Sequence, residues 1–433
     1  MAKQTTNNVL ERATFEVSRE LEFFSEKELT MQIGHRREWW SVALLKELID
    51  NALDACETAG IPPEIDATFD DDGFSVRDNG PGLPAETITG SLDYLKRVSD
   101  KTFYVSPTRG QLGNALKVLW AAPLVVNGER GLVEVGNRGQ HHTIEVSVDR
   151  LAQRPRVEHS ATEDAVVKNG TFVNVHWSDL SCSEDEFSYI EIPRPMPAQE
   201  LIEAYAAFNP HATFRFRDMT FDPTSPAWEK WKPCDPTSPH WYSPETLRDL
   251  IAAYVSHENG SEKTVREFVS EFRGLSATAK QKQIGRSGVY LRDLVRNGDL
   301  DTGEIEALLS DMKQLSKPPK PAALGVIGED HLAMWMVRCA DVSEESIRYN
   351  KRMGIDPGGL PFVLEIAFGI RDEGNRRIVT GLNWSPTLGM PISESSSLIQ
   401  KMRIDPHDPV TVVLHIARPR FEFTDHGKTR LQL

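Results

Sequence analysis

The chain has 433 residues, 39% of them hydrophobic, and a formal net charge of −15; that length exceeds one ordinary core and points to two or three domains. The acidic balance argues against a protein coated in nucleic acid, although it leaves room for a local basic surface. No run approaches the roughly 18 to 20 apolar residues of a membrane span, and "MAKQTTNNVLERATFEVSRE" lacks the apolar core of a signal peptide, so the expectation is a cytoplasmic protein with no membrane contact.

Taken in chain order, residues 1–30 read as a polar arm running into a helix around "ERATFEVSRELEFF". The next helix, "LLKELIDNALDAC", has Leu45, Leu48, Ala52 and Leu53 to bury, yet it also carries Glu47, Asn51 and Asp54. Their spacing of four and then three puts them on one helical face, where they are either solvated or aimed at a ligand. "EIDATFDDDGFSVRDNGPG" alternates like two strands joined by an Asp/Gly turn, and "GLVEVGNRGQHHTIEVSVD" reads as a hairpin around residues 137 to 139. "GTFVNVHW" supplies a further strand. The order of helix, paired strands, glycine-rich loop, second helix and more strands indicates a layered fold with helices on one face of a sheet.

Between Asp222 and Pro244 there are six prolines and a short duplication, "DPTSPAW" then "DPTSPHW". That density favours extended, ladder-free chain and reads as a linker. Short helical patterns follow at "SPETLRDLIAAYVSH", "SEKTVREFVSEFRG" and "SATAKQKQIGRSG". After a second proline cluster, "SKPPKP", come strand candidates "PFVLEIAFGI", "IVTGLNWSP" and "VTVVLHIARP", with a helix expected at "SEESIRYNKRM". The four cysteines, Cys56, Cys182, Cys234 and Cys339, form no CxxC pair, which points to neither a zinc site nor a disulfide framework.

Two further stretches suggest chemistry. "RDNGPGLP", Arg77 to Pro84, follows a strand, so Asp78 sits at a strand end where ligands are often met; read alone, it is an ordinary turn. "SPTRGQLGNALKVLW" puts Gly110 and Gly113 ahead of an apolar helix, where backbone N–H groups can approach phosphate oxygens and the helix N-terminus favours negative charge.

These three elements, in this order, resemble the GHKL ATPases, the group that includes gyrase, heat-shock chaperone and histidine-kinase nucleotide domains. The likeness is closest to the B subunit of topoisomerase VI, through "KELIDNALDAC", "DNGPGLP", "TRGQLG", "NGTFV" and "AFNPHATFRF". The resemblance implies an α+β architecture: a GHKL (Bergerat) ATPase α/β sandwich, a helix-two-turns-helix insert and a ribosomal-S5-like transducer. It implies Glu47 polarising the attacking water, Asn51 holding Mg²⁺ and Asp78 binding the adenine amine. Gly80 and Gly82 would shape the adenine-side loop, Gly110, Gln111 and Gly113 would wrap the triphosphate of ATP, and Thr171 would support the pocket floor. Where the family carries another glycine this chain has Ala115, so Asn114 would donate a side-chain contact instead. A carboxylate suits the orientation of water, and a neutral amide can ligate Mg²⁺ without adding negative charge beside ATP.

The same resemblance divides the chain into an arm acting as a dimer strap (1–30), an ATPase domain (31–221), a Pro-rich linker (222–244), a helix-two-turns-helix module (245–322) and a transducer-like domain (323–433). Between Arg273 and Arg296 lie six Lys or Arg residues against one acid, Asp293; Lys280, Lys282 and Arg286 are the candidates for phosphate contact with duplex DNA. "FTDHGKTRLQL" would make Lys428 the switch lysine at the γ-phosphate, five residues before the last residue, Leu433. The implied protein is an ATPase that closes as a homodimer on ATP binding and works with a DNA-cleaving partner like the topoisomerase VI A subunit, which carries a Toprim fold and a catalytic tyrosine. An ATP-gated DNA clamp or regulator without strand passage is the alternative, and a slow-exchanging nucleotide-binding scaffold is disfavoured by the intact Glu47.

Overall fold

The computed structural model describes residues 19–94, 103–109, 115–149, 151–152, 154–163, 167, 169–178, 196–256, 262–286, 288–296, 299–389 and 404–422. Helix α1, Glu26–Ile33, opens on Ser25, whose hydroxyl accepts the Glu28 N–H, and closes on Gly34 in the left-handed region. Helix α2, Trp40–Ala59, ends in a Schellman arrangement: Gly60 at φ 69° donates to the Glu57 carbonyl, and Ile61 donates to that of Cys56. Most of α2 is buried, and its most open line runs through Glu47, Asn51, Ala55 and Thr58.

Strands β1 (Glu64–Asp70) and β2 (Gly73–Asp78) form the expected hairpin, followed by α3 (Ala85–Ser91) and α4 (Ala115–Asn127). Strands β3 (Gly131–Asn137) and β4 (Gln140–Asp149) turn through Arg138 at φ 50° and Gly139 at φ 78°. Two positive φ values at the tip are the signature of the turn anticipated there. Strand β5 (Arg154–Glu163), not anticipated, adds to the edge beyond β4; β6 (Thr171–His176) runs between β3 and β2. After α5 (Ala198–Phe208), β7 (Thr213–Phe216) joins β1 in parallel and β8 (Met219–Phe221) closes the sheet. The eight strands run in the order β5-β4-β3-β6-β2-β1-β7-β8.

Alternation decides the two faces of this sheet. Ile65, Ala67, Phe74, Val76, Val133, Val135, Phe214 and Phe216 face α2, α4 and α5, while the row Thr68, Ser75, Asn174 and Glu134 forms a polar opposite face.

A helical stretch follows, with α6 (Pro244–Ser256), α7 (Val265–Ser270), α8 (Thr278–Ile284), a short ribbon of β9 (Val295–Arg296) and β10 (Asp299–Leu300), and α9 (Thr302–Leu315). Thr264 and Glu267 form a capping box at the start of α7. Helix α10 (Glu329–Cys339) then leads into a second sheet of β11 (Arg348–Ile355), β12 (Pro361–Ile370), β13 (Arg377–Leu382), β14 (Ser385–Pro386) and β15 (Val410–Ala417), in the order β11-β12-β15-β13-β14. Helix α10 is fastened to α5: the Trp335 indole donates to the Glu203 carbonyl at 2.7 Å, and His331 Nε2 lies 3.0 Å from the carbonyls of Ala206 and Ala207. One continuous apolar core runs beneath both sheets.

Two expectations are corrected. The segment 222–244 is extended but does not behave as a free linker: Lys230 bridges to Gly325, and Trp231, Trp241 and Tyr242 are buried in the core. Its prolines break ladders, but its aromatic residues supply burial that outweighs them. "SEESIRYNKRM" is not a helix; a single turn at Glu344–Ser346 gives way to β11, which pairs with β12 along its whole length. Partner strand β12 overrides the local helical pattern.

Candidate functional site

Helix α2 carries two sets of polar residues. On its open line, Asn51 is exposed and Glu47 half-buried. The Lys46 ammonium lies 3.8 Å from Glu47 Oε1 and 2.8 Å from Asp50 Oδ2. Asp50 is fully buried, and besides Lys46 it accepts the Tyr205 hydroxyl at 2.7 Å and the Ser385 hydroxyl at 2.8 Å. Burial opposes charge on both members of the pair, but Asp50 is held below the usual carboxylate range by Lys46, and Lys46 above the usual lysine range by Asp50 and Glu47.

Asp78 ends β2 beside the last turns of α2. Its Oδ1 accepts the N–H of Gly80 at 2.8 Å and that of Thr171 at 3.2 Å. Burial outweighs these bonds and pushes its carboxyl above the ordinary value. The loop after Asp78 is pinned on several sides. Gly80 accepts the Gly170 N–H at 2.9 Å, Arg138 donates to Pro81 at 3.0 Å, and the Asn137 amide donates to Leu83. Glycine is required at Gly170, where φ is +78° and a Cβ would lie 1.8 Å from the Asp78 carbonyl oxygen. A buried carboxylate at a strand end, walled by tightly held backbone, suits one hydrogen-bond donor of a flat ligand.

On the flank of α2, Asp54 does not join Glu47 and Asn51 at the surface. Arg109 covers it, at 2.7 Å from Asp54 Oδ1, and the same guanidinium grips Glu57 with both terminal nitrogens at 2.8 Å and donates to the Asn209 side chain. Glu57 also meets His211 Nε2 at 3.0 Å and Lys230 Nζ at 2.6 Å. Burial disfavours each charge, yet Glu57 is held well below the carboxylate range by Arg109 and Lys230, and Arg109 is raised by Glu57, Asp54 and Asp50. Lys230 goes the other way: burial, then Arg109, outweigh Glu57 and bring it down to about 8. Burial also lowers His211.

Sequence reasoning missed Asp50, Glu57, Arg109, Asn209, Lys230 and Ser385 as a connected set. Asp50, Arg109, Asn209 and Ser385 stood inside quoted stretches, but only the fold brings Lys230 to Glu57 and Ser385 to Asp50. Of the anticipated residues, Glu47 and Asn51 lie on α2, Asp78 ends β2, Gly80 and Gly82 follow it in the loop, and Thr171 opens β6 and donates to Asp78; Gly110, Gln111, Gly113, Asn114 and Lys428 lie outside the described residues. In the basic stretch, Lys282 is exposed, Lys280 donates to the Gly274 carbonyl at 2.8 Å, and Arg286 pairs with Glu304 at 3.2 Å. Arg273 lies over the Trp231 ring at 4.7 Å. Among the described residues, no three His, Cys, Asp or Glu side chains cluster to hold a metal, and no helix is long and apolar enough to cross a membrane.

No family model matches the chain. It is 23% identical over 423 residues to the B subunit of type 2 DNA topoisomerase 6 from Archaeoglobus fulgidus, covering 89% of this chain and 66% of that one. Against the same protein from Saccharolobus shibatae it is 26% identical over 356 residues, covering 75% and 61%. Thus the chain spans about two thirds or less of the length of these curated relatives. Among solved structures, the dexrazoxane-bound ATPase region of Saccharomyces cerevisiae topoisomerase II is similar at 10% identity and a TM-score of 0.38, covering 90% of this chain and 77% of that chain. The 43K ATPase domain of Thermus thermophilus gyrase B in complex with an aminocoumarin is similar at 15% identity and a TM-score of 0.31, covering 90% and 78%. The chain therefore resembles the topoisomerase VI B protein over most of its length, as its motifs indicated.

Proposed function

We propose that this chain is the ATP-binding and ATP-hydrolysing subunit of a compact topoisomerase VI-like system. It closes as a homodimer around duplex DNA, with the N-terminal arm as strap, the second sheet as transducer and a separate protein cleaving the DNA. One observation carries the nucleotide reading: Glu47 and Asn51 share the open line of an otherwise buried helix, whose last turns pack beside the buried carboxylate of Asp78.

In this reading Asp78 accepts the adenine amine, and Gly80 and Gly82 keep the adenine-side loop thin while Thr171 braces Asp78 through its N–H. Glu47 accepts a hydrogen bond from water and aligns it with the terminal phosphate, while Gly110, Gln111, Gly113 and Asn114 wrap the triphosphate. Lys428 reaches the γ-phosphate from the C-terminal part of the chain. The donor set fits Mg²⁺, which takes few protein ligands and keeps its waters and phosphate oxygens; the exposed Asn51 amide would hold it. Bound there, the ion would neutralise phosphate charge.

Phosphate release and ATP binding, measured side by side, test the proposal. Glu47→Ala should abolish release while ATP still binds, and Asn51→Ala should weaken Mg²⁺-dependent binding itself. Unchanged turnover in Glu47→Ala removes that residue from the mechanism.

A further inference from the structure

We infer that Asn383–Ser385, the two-residue turn after β13 together with the first residue of β14, is a positioning element of the nucleotide site, built into the second sheet and reaching the site through Asp50 and Arg109. The inference rests on the ATPase reading above, and it adds a link distinct from the Lys428 contact.

The turn has two central residues, Asn383 at φ 49° and Trp384 at φ 64°, between the paired Leu382 and Ser385. Asparagine tolerates that region, whereas a bulky tryptophan there is an outlier that survives only when its surroundings over-determine it. They do so here. The Trp384 N–H donates to His415 Nε2 at 3.1 Å, its carbonyl accepts the Asn209 amide at 2.9 Å, and the Lys230 ammonium lies 4.0 Å from its ring centroid.

Each of the three residues reaches a different part of the site. Asn383 donates to the Thr108 carbonyl at 3.4 Å, just ahead of the segment 110–114 expected to wrap phosphates. The Trp384 carbonyl holds Asn209, whose side-chain oxygen accepts Arg109, the last described residue before that segment. Ser385 donates to Asp50 Oδ2, the oxygen that also holds Lys46. Asp50 lies in α2 between Glu47 and Asn51, and Lys46 stands between Asp50 and Glu47. A shift of the second sheet therefore acts on Thr108, Arg109 and the cation beside Glu47 together. Ser385 and Lys46 both donate to Asp50 Oδ2 at 2.8 Å, and together they fix the carboxylate that holds Lys46 3.8 Å from Glu47 Oε1. Without the hydroxyl a buried carboxylate loses one of its donors, and Asp50 and the Lys46 ammonium beside Glu47 are less firmly placed.

The test is Ser385→Ala in the full chain, with Ser385→Thr as the conservative rescue. Because the hydroxyl orients groups beside Glu47 and does not hold the nucleotide, kcat for ATP should fall about tenfold, with KM within about twofold; misplacement by about 1 Å reaches ~100-fold. Ser385→Thr should recover most of the loss, and amide exchange over residues 46–51 should quicken in Ser385→Ala before any nucleotide is added. Should Ser385→Ala fail to fold, Ser385→Cys keeps the volume, weakens the donor and gives the same readout. A kcat within about twofold of the unmodified protein, with unchanged exchange at 46–51, overturns the positioning role and leaves the ATPase reading standing. Absence of phosphate release from the unmodified protein overturns the ATPase reading, and this inference with it.

Discussion

Helix α2 presents an open polar line and a buried, charged flank, and they answer to different physics. Glu47 and Asn51 keep contact with solvent, so their polar groups remain hydrated until something binds. Asp54 and Glu57, one and two turns further along, are sealed under Arg109 and Lys230, so each must find its partner inside the protein. Two carboxylates face two cations, and His211 and Asn209 fill remaining hydrogen-bonding directions. The open line is poised for chemistry, whereas the flank fixes where the chain around residue 109 must sit.

The largest test of that division removes the central cation. Arg109→Met keeps a long apolar side chain but takes the guanidinium from Asp54 and leaves Glu57 with Lys230 as its cation. Breaking one partner of a buried charge network costs about 3–5 kcal/mol, so urea unfolding should show a loss of that size. A loss below about 1 kcal/mol would mean that the flank is no more interior than a surface ion pair, and the contrast with the open line would collapse.

How much of this could be read from the sequence follows the same division. Glu47, Asn51 and Asp78 were legible because helix periodicity and a strand-end turn fix their positions locally, and the hairpin at Arg138–Gly139 was legible for the same reason. The flank was not. Asp54 has the right helical spacing for the open line, and only Arg109, far along the chain, turns it inward. Lys230 sits in a proline-rich stretch whose composition signals extended chain and says nothing of burial. Strand β11 shows the same failure at the level of fold: its residues suit a helix, and the partner strand β12 decides otherwise. Nonlocal partners leave little imprint in composition or periodicity.

A second test uses proton linkage at Lys230. In the folded protein it holds its proton only to about pH 8, whereas the ordinary lysine value is 10.5. Between those values the unfolded chain binds more protons, so this residue makes stability rise with pH, by roughly 1 kcal/mol per unit. Lys230→Met lacks that effect. The stability difference between unmodified and variant protein should therefore move in favour of the unmodified protein as pH rises from about 8 to about 10, measured by urea unfolding at each pH. A difference that stays flat would place Lys230 in a wetter setting than the flank requires.

The smallest effect on stability is expected where the comparison extends to the basic stretch. Lys282 and Arg286 lie four residues apart, yet Lys282 is exposed while Arg286 is pinned to Glu304. If exposed charge waits for a ligand and engaged charge serves the fold, the two should separate cleanly under charge reversal. Lys282→Glu should change unfolding free energy by no more than about 0.5 kcal/mol. It should lower the slope of log affinity for duplex DNA against log salt by about 0.9, because one phosphate fewer is neutralised and fewer counterions leave the duplex on binding. Arg286→Glu sets a second carboxylate against Glu304, so it should destabilise the protein more than Lys282→Glu while moving the salt slope less. Titration of a short duplex at several salt concentrations, alongside urea unfolding of both variants, decides the matter. Equal slopes for Lys282→Glu and the unmodified protein would return Lys282 to an ordinary solvated lysine and remove α8 from the proposed DNA surface.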